Sequence, residues 1–245
     1  MIEARGLTKT FDGLLAVDDV ELTVAAGEIV GLVGVNGAGK TTLLRMLCGI
    51  LQPTAGNIAI AGHPLQRDSI AARAALAFVP DTPMLFEQLT VQEHLLFIAR
   101  LYGVKDAGPA MDALLARFEL SDKRRDTASS LSRGMRQKLA ICCAFLHEPA
   151  ALLLDEPLSG LDPPGRRSMC DAVAARAAAG SAVLVSSHEL EIIEKLCHRF
   201  VILHRGRVRL AGTLAQVRGD LGTLEEVFLR ATGTSDDRPA ATGPT

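Results

Sequence analysis

Tryptophan is absent from the 245 residues, tyrosine occurs once and phenylalanine eight times. A platform that stacks unpaired bases needs several aromatic faces, so single-strand binding is disfavoured from the outset. A basic surplus is missing as well, with 26 Lys and Arg against 28 Asp and Glu. Neutralising a nucleic-acid backbone requires such a surplus, and no nucleic-acid partner is expected. No apolar run approaches the roughly 18–20 residues of a membrane-spanning helix; the stretch from Leu139 to Leu146 is among the longest. The opening residues, Met1 to Arg5, lack an apolar core, so a secretory signal is not expected. Five cysteines (Cys48, Cys142, Cys143, Cys170 and Cys197) form neither a C-x-x-C pair nor a metal-ligand cluster. Buried free thiols in the cytosol are the natural reading.

What is present is core material arranged in an alternating pattern. Apolar residues make up 48% of the chain, ample for a buried core at this length. Residues 1–62 read as strands broken by turns, with one helix from Thr41 to Leu47 after a glycine loop. From about 83 to 148 the pattern turns helical. Thr90 and Glu93 have capping-box spacing, and Leu95, Leu96, Ile98, Ala99 and Leu101 follow at helical intervals. Met111, Leu114, Leu115 and Phe118 mark a second amphipathic helix, and a third runs from about Arg133 to His147 before Pro149. Parallel-type strands follow at 151–155 and 182–185, with helix between them, and then a hairpin around Gly206. From Thr232 the composition cannot bury a core, and residues 232–245 are expected to be a disordered tail.

Residues 34–41 match G-x-x-x-x-G-K-[ST], and they lie between an apolar strand and a helix, as that pattern requires. Glycines let successive backbone amides point inward at phosphate oxygens, and the helix N-terminus adds partial positive charge. Gly34, Asn36, Gly37, Ala38, Gly39, Lys40, Thr41 and Thr42 are therefore candidate nucleotide-binding residues. Lys40 is placed for the β- and γ-phosphates, and the Thr41 hydroxyl suits Mg²⁺. A second apolar strand, Leu152 to Leu154, ends in Asp155 and Glu156. Asp155 fits the metal shell, and Glu156 fits a general base for an attacking water.

Between these motifs stands the stretch Leu131, Ser132, Arg133, Gly134, Met135, Arg136, Gln137, at a helix start. It resembles the signature loop of ATP-binding cassette (ABC) proteins, the nucleotide-binding subunits of ABC transporters. Other motifs resemble that family in its order: Thr10 to Gly13 the aromatic loop that stacks adenine on Phe11, Ser159 to Asp162 the D-loop, and Ser187 with His188 the switch histidine. The resemblance spans roughly residues 2–230. It implies an α/β P-loop NTPase core with a parallel sheet, an N-terminal antiparallel β subdomain and a helical insert at about 83–148, together one ABC ATPase domain over 1–231. It further implies ATP and Mg²⁺ as ligands and hydrolysis by Glu156, His188 and Lys40. A second cassette would pair head to tail, its Ser132, Gly134 and Asp162 facing the first chain's nucleotide. A transmembrane permease subunit would hold the pair at the inner face of the cell membrane, with export the expected direction. A soluble cassette acting on ribosomes or nucleic acid is the weaker alternative.

Three departures from the family pattern stand out. Phe11 replaces a tyrosine, and Arg133 and Met135 replace the third and fifth signature residues. Asp81, after the strand from Ala77 to Val79, takes the place of a glutamine. A carboxylate only accepts hydrogen bonds, so Asp81 would act through Mg²⁺ or its waters. The competing reading is a turn residue between Pro80 and Pro83. The apolar residues Phe86, Leu89 and Leu95 are expected to border a groove for the membrane partner.

Overall fold

The computed structural model describes residues 1–218 and 223–233. In chain order the strands and helices begin with β1 (Ile2–Phe11), β2 (Leu14–Val24), β3 (Ile29–Val33), α1 (Lys40–Leu47), β4 (Ala55–Ile60) and β5 (His63–Pro64). Next come α2 (Ile70–Ala74), β6 (Leu76–Val79), α3 (Val91–Leu101), α4 (Ala107–Arg117) and α5 (Arg133–Leu146). The last part contains β7 (Ala151–Asp155), α6 (Pro163–Ala178), β8 (Ala182–Ser186), α7 (Leu190–Leu196), β9 (Arg199–His204) and β10 (Arg207–Gly212). Helices α8 (Leu214–Arg218) and α9 (Leu224–Gly233) end it. Thr232 and Gly233 thus close a helix rather than open a tail, and the Thr232 hydroxyl donates to the Phe228 carbonyl one turn back. The rest of the expected tail, 234–245, lies outside the described residues.

Two sheets result. An antiparallel sheet runs β2-β1-β4-β5, and a larger one runs β10-β9-β3-β8-β7-β6. In the larger sheet β9, β3, β8, β7 and β6 are parallel, and β10 is an antiparallel edge. Strands buried on both faces read as continuous apolar runs, which is why β3, β7 and β8 are buried at every position. Successive side chains nevertheless alternate between two cores. Ile29, Val33, Leu152, Leu154, Val183 and Val185 join the core shared with the helices of the insert. Val30, Leu32, Ala151, Leu153, Ala182 and Leu184 join the core capped by α1 and the antiparallel sheet.

Residues 83–90 are irregular, and the helices of the insert begin only at Val91. There the capping box forms in full, with Thr90 Oγ1 accepting from the Glu93 amide at 3.2 Å and the Glu93 carboxylate accepting from the Thr90 amide at 2.8 Å. Leu95 corrects the expected groove, because it is fully buried beside Val91 and Ala99 in the core. The opposite face of α3 leaves Phe97 and Leu101 exposed, and the preceding irregular segment exposes Met84 and Phe86. All five cysteines are free thiols, two buried and three half-buried.

Phe118 caps the end of α4 and is among the largest fully buried side chains. Phe118→Ala should cost about 3–5 kcal/mol of unfolding free energy. Urea denaturation measures this; a loss below about 1 kcal/mol would mean that the insert packs without it.

Candidate functional site

Parallel strands deliver their C-terminal ends to one side of a sheet, where α/β proteins gather ligands. Here β3 ends at the phosphate loop, β7 ends in Asp155 and β8 ends in Ser186. The loop itself curls tightly. Gly39 sits at φ 105°, and a Cβ there would stand 2.7 Å from the Ala16 carbonyl oxygen. Gly39 caps α1 without a side-chain hydrogen bond, so the first-turn amides face the loop's concavity. Val35, Asn36 and Gly37 are exposed at the rim, and Ala38 is buried with its carbonyl accepting from the Gly206 amide at 2.9 Å. Leu14, Leu15, Gly37, Gly39, Lys40, Thr41 and Thr42 line a cleft of about 400 Å³.

Lys40 is buried and folded back, with Nζ donating to the Gly34 carbonyl at 2.6 Å. Burial pulls its ammonium below the ordinary lysine value, against the opposing pull of the Glu156 and Asp155 carboxylates. Those carboxylates are therefore near enough to share its field. Asp155 is 3% exposed and accepts from the Ser186 hydroxyl at 2.6 Å. The same hydroxyl accepts from the Glu156 amide at 3.0 Å. Glu156 has φ 48°, unusual for a residue with a Cβ, and its carboxylate lies 2.9 Å from His188 Nδ1. Asp155, Glu156, His188 and Lys40 are thus brought together.

A larger trough of about 1050 Å³ is lined by Phe11, Thr41, Thr42, Asp81 and Asp155, and also by Met84, Phe86 and Phe97. Phe11 is 41% exposed, with the Lys9 ammonium 5.1 Å above its ring. The oxygen donors Thr41, Asp155 and Asp81 suit Mg²⁺, a hard cation that keeps water and phosphate ligands.

Ser132, Gly134 and Asp162 are placed otherwise. Neither cleft that Thr41 lines includes them. Ser132 caps α5, its oxygen accepting from the Met135 amide at 3.3 Å, which leaves the hydroxyl proton for another acceptor. Asp162 is exposed at the start of α6 and pairs with Lys138 at 3.3 Å, which holds its carboxyl below the usual aspartate value. Gln137, buried, donates to the Pro157 carbonyl at 3.4 Å.

Two further polar anchors escaped the sequence reading. Ser186 pairs in register with Asp155 across β7 and β8; a serine closing an apolar strand just before Ser187 and His188 was the available signal. Arg166, in the first turns of α6, binds the Glu189 carboxylate at 2.6 Å and the Leu161 carbonyl at 3.3 Å, joining the turn before α6 to the one after β8. Nothing local in the sequence marks that pairing.

Fold and site define a P-loop nucleotide-binding domain whose signature loop lies apart from its own phosphate loop. The family model described as ABC transporter matches residues 17–159. The ABC-type transporter ATP-binding protein EcsA of Bacillus subtilis (strain 168) is 34% identical over 95% of this chain and 96% of its own. The daunorubicin resistance ATP-binding protein DrrA3 of Streptomyces coeruleorubidus is 36% identical over 95% of this chain and 74% of its own. Among solved structures, an ATP-binding subunit of an ABC transporter superposes with a TM-score of 0.91 at 35% identity, covering 94% of this chain and 99% of that one. The cassette MJ0796, a dimer bound to ADP and Pi after hydrolysis, superposes with a TM-score of 0.80 at 25% identity, covering 87% and 99%. The chain belongs to the ABC transporter family and is an ATP-binding cassette of the ABC ATPase fold.

Ser186→Ala removes a donor to a buried carboxylate and an acceptor from the Glu156 amide. ATP turnover should fall about tenfold or more, in line with the loss of a charge-assisted hydrogen bond. Steady-state ATPase with circular dichroism checks this; full activity in a folded Ser186→Ala would detach Ser186 from the site.

Proposed function

We propose that this cassette works as one of a head-to-tail pair that closes on ATP and drives a separate transmembrane subunit, in the export direction. The observation that carries the reading is the incompleteness of the site within one chain. Lys40, Asp155, Glu156 and His188 converge, while Ser132 and Gly134 stand with the turn at 157–162. A second copy supplies what is missing.

In that pair the phosphate loop and Lys40 hold the β- and γ-phosphates. Phe11 offers its ring face to adenine, which stacking alone requires. Thr41 and Asp155, with Asp81, would hold Mg²⁺, which when bound offsets the charge of the phosphates. Glu156 takes a proton from the attacking water, and His188, bonded to Glu156, orients that carboxylate beside the γ-phosphate. Ser132 donates its remaining hydroxyl proton to the partner chain's nucleotide, and Gly134 lets the backbone come close.

The membrane subunit finds a surface in the exposed Met84, Phe86 and Phe97, large apolar side chains gathered on one trough. Phe86 packs edge-on against Phe97 with ring centroids 5.6 Å apart. No helix among the described residues is long and apolar enough to cross a membrane. Docking on the membrane subunit would hold the cassette at the cytoplasmic face. Drug resistance in the DrrA3 relative supports export.

Glu156→Gln keeps the side-chain shape and removes the base, so an ATP-bound dimer should accumulate. Size-exclusion chromatography in ATP and Mg²⁺ is the test, and a wholly monomeric Glu156→Gln would remove the support for pairing. Phe86→Glu should abolish co-purification of the membrane subunit while ATP turnover by the isolated cassette stays within about twofold, since the Phe86 ring packs on His94 and Phe97. Retained co-purification would move the docking surface elsewhere.

A further inference from the structure

Two of the residues that depart from the family pattern meet in space. The Arg133 guanidinium donates through Nη2 to the Ser159 hydroxyl at 3.0 Å, and the same nitrogen stands 3.9 Å from a carboxylate oxygen of Asp81. The second distance is a charge contact, too long for a hydrogen bond. The stem of Arg133 lies along Gly160, where a Cβ would sit 3.4–3.6 Å from Nε, Cδ and Cγ. Beside it, a Cβ on Gly134 would stand 2.6 Å from the Gly160 carbonyl oxygen, so the two backbones are in direct contact. Ser159 in turn donates its amide to the Glu156 carbonyl at 3.0 Å. A single side chain therefore reaches from the loop after β6 to the turn that follows Glu156.

We propose that Arg133 is a positioning residue that ties the Asp81 loop to the turn at 159–162, so that a shift of the loop is passed to Glu156. The inference rests on the ATPase reading above and assigns a route to its regulation. One nitrogen, Nη2, serves both loops, donating a hydrogen bond to Ser159 and meeting Asp81 by charge alone. Pro80 and Pro83 flank the loop and restrict its backbone, so Asp81 moves with the segment rather than swinging free. That segment continues into the exposed Met84 and Phe86, the surface assigned to the membrane subunit. Arg133 also offsets a carboxylate that would otherwise face the γ-phosphate with like charge.

A role in stability is a poor account of the pair. Side-chain exposure is 68% for Arg133 and 47% for Asp81, and ion pairs this open to water add little to a fold. The melting temperature should therefore stay put while turnover changes.

The test is steady-state ATPase of the full chain for wild type, Arg133→Ala, Asp81→Ala and the double alanine variant. Each single change should lower kcat about five- to tenfold with KM for ATP within about twofold, and the double variant should be no slower than the slower single. Melting temperatures should be unchanged throughout. Losses that multiply in the double variant, or that fall on KM alone, would overturn the inference. A wild type that hydrolyses no ATP would sink the ATPase reading and this inference together; an active wild type with multiplying losses sinks this inference alone.

Discussion

The site depends on one buried contact, the hydrogen bond from the Ser186 hydroxyl to Asp155. A carboxylate that is 3% exposed has lost nearly all its water and needs replacement donors, since a buried polar group without a partner is costly. Parallel register supplies the donor, because Asp155 and Ser186 end neighbouring strands at the same level. Since Ser186 also accepts from the Glu156 amide, one hydroxyl sets both the buried acid and the backbone of the next residue. The positive φ of Glu156 follows, as the chain must turn out of the strand at once to bring its carboxylate to His188.

The same economy of polar partners explains the position of Lys40. Its buried ammonium donates to the carbonyls of Gly34 and Val35, at 2.6 and 3.4 Å. Burial dominates and lowers the pKa of that ammonium, while the charges of Glu156 and Asp155 oppose the shift.

What could be read from the sequence was local. The capping box at Thr90 and Glu93 closes within four residues, and both of its bonds form. The phosphate loop, Asp155 and the switch histidine each follow a strand whose apolar run announces it. Periodicity groups residues onto helix faces but does not say which face meets the core; of the residues expected at a groove, Phe86 is exposed while Leu95 is buried, and Phe97 is the exposed residue on the opposite face of α3. Helix α7 was missed because its seven residues are too few for a clear repeat. Arg166 with Glu189 and Arg133 with Asp81 are invisible in the sequence for another reason: each contact joins a helix start to a distant loop, and only the tertiary fold makes them neighbours.

The signature loop shows how a local cap becomes part of a larger mechanism. Ser132 starts α5 by accepting from the Met135 amide, and the helix then carries Gln137 to the Pro157 carbonyl and Lys138 to Asp162. With Gly134 pressed on Gly160, the first turn of α5 and the turn at 157–162 are one rigid unit. Glu156 sits at the root of that unit, joined through the Ser159 amide. In the proposed head-to-tail pair, Ser132 faces the partner's nucleotide while Glu156 faces its own. A displacement of Ser132 by one ATP is then carried through packed backbone to the acid at the other. In that proposed pair the two sites would close together, because each would borrow its missing half from an element packed against the other's base.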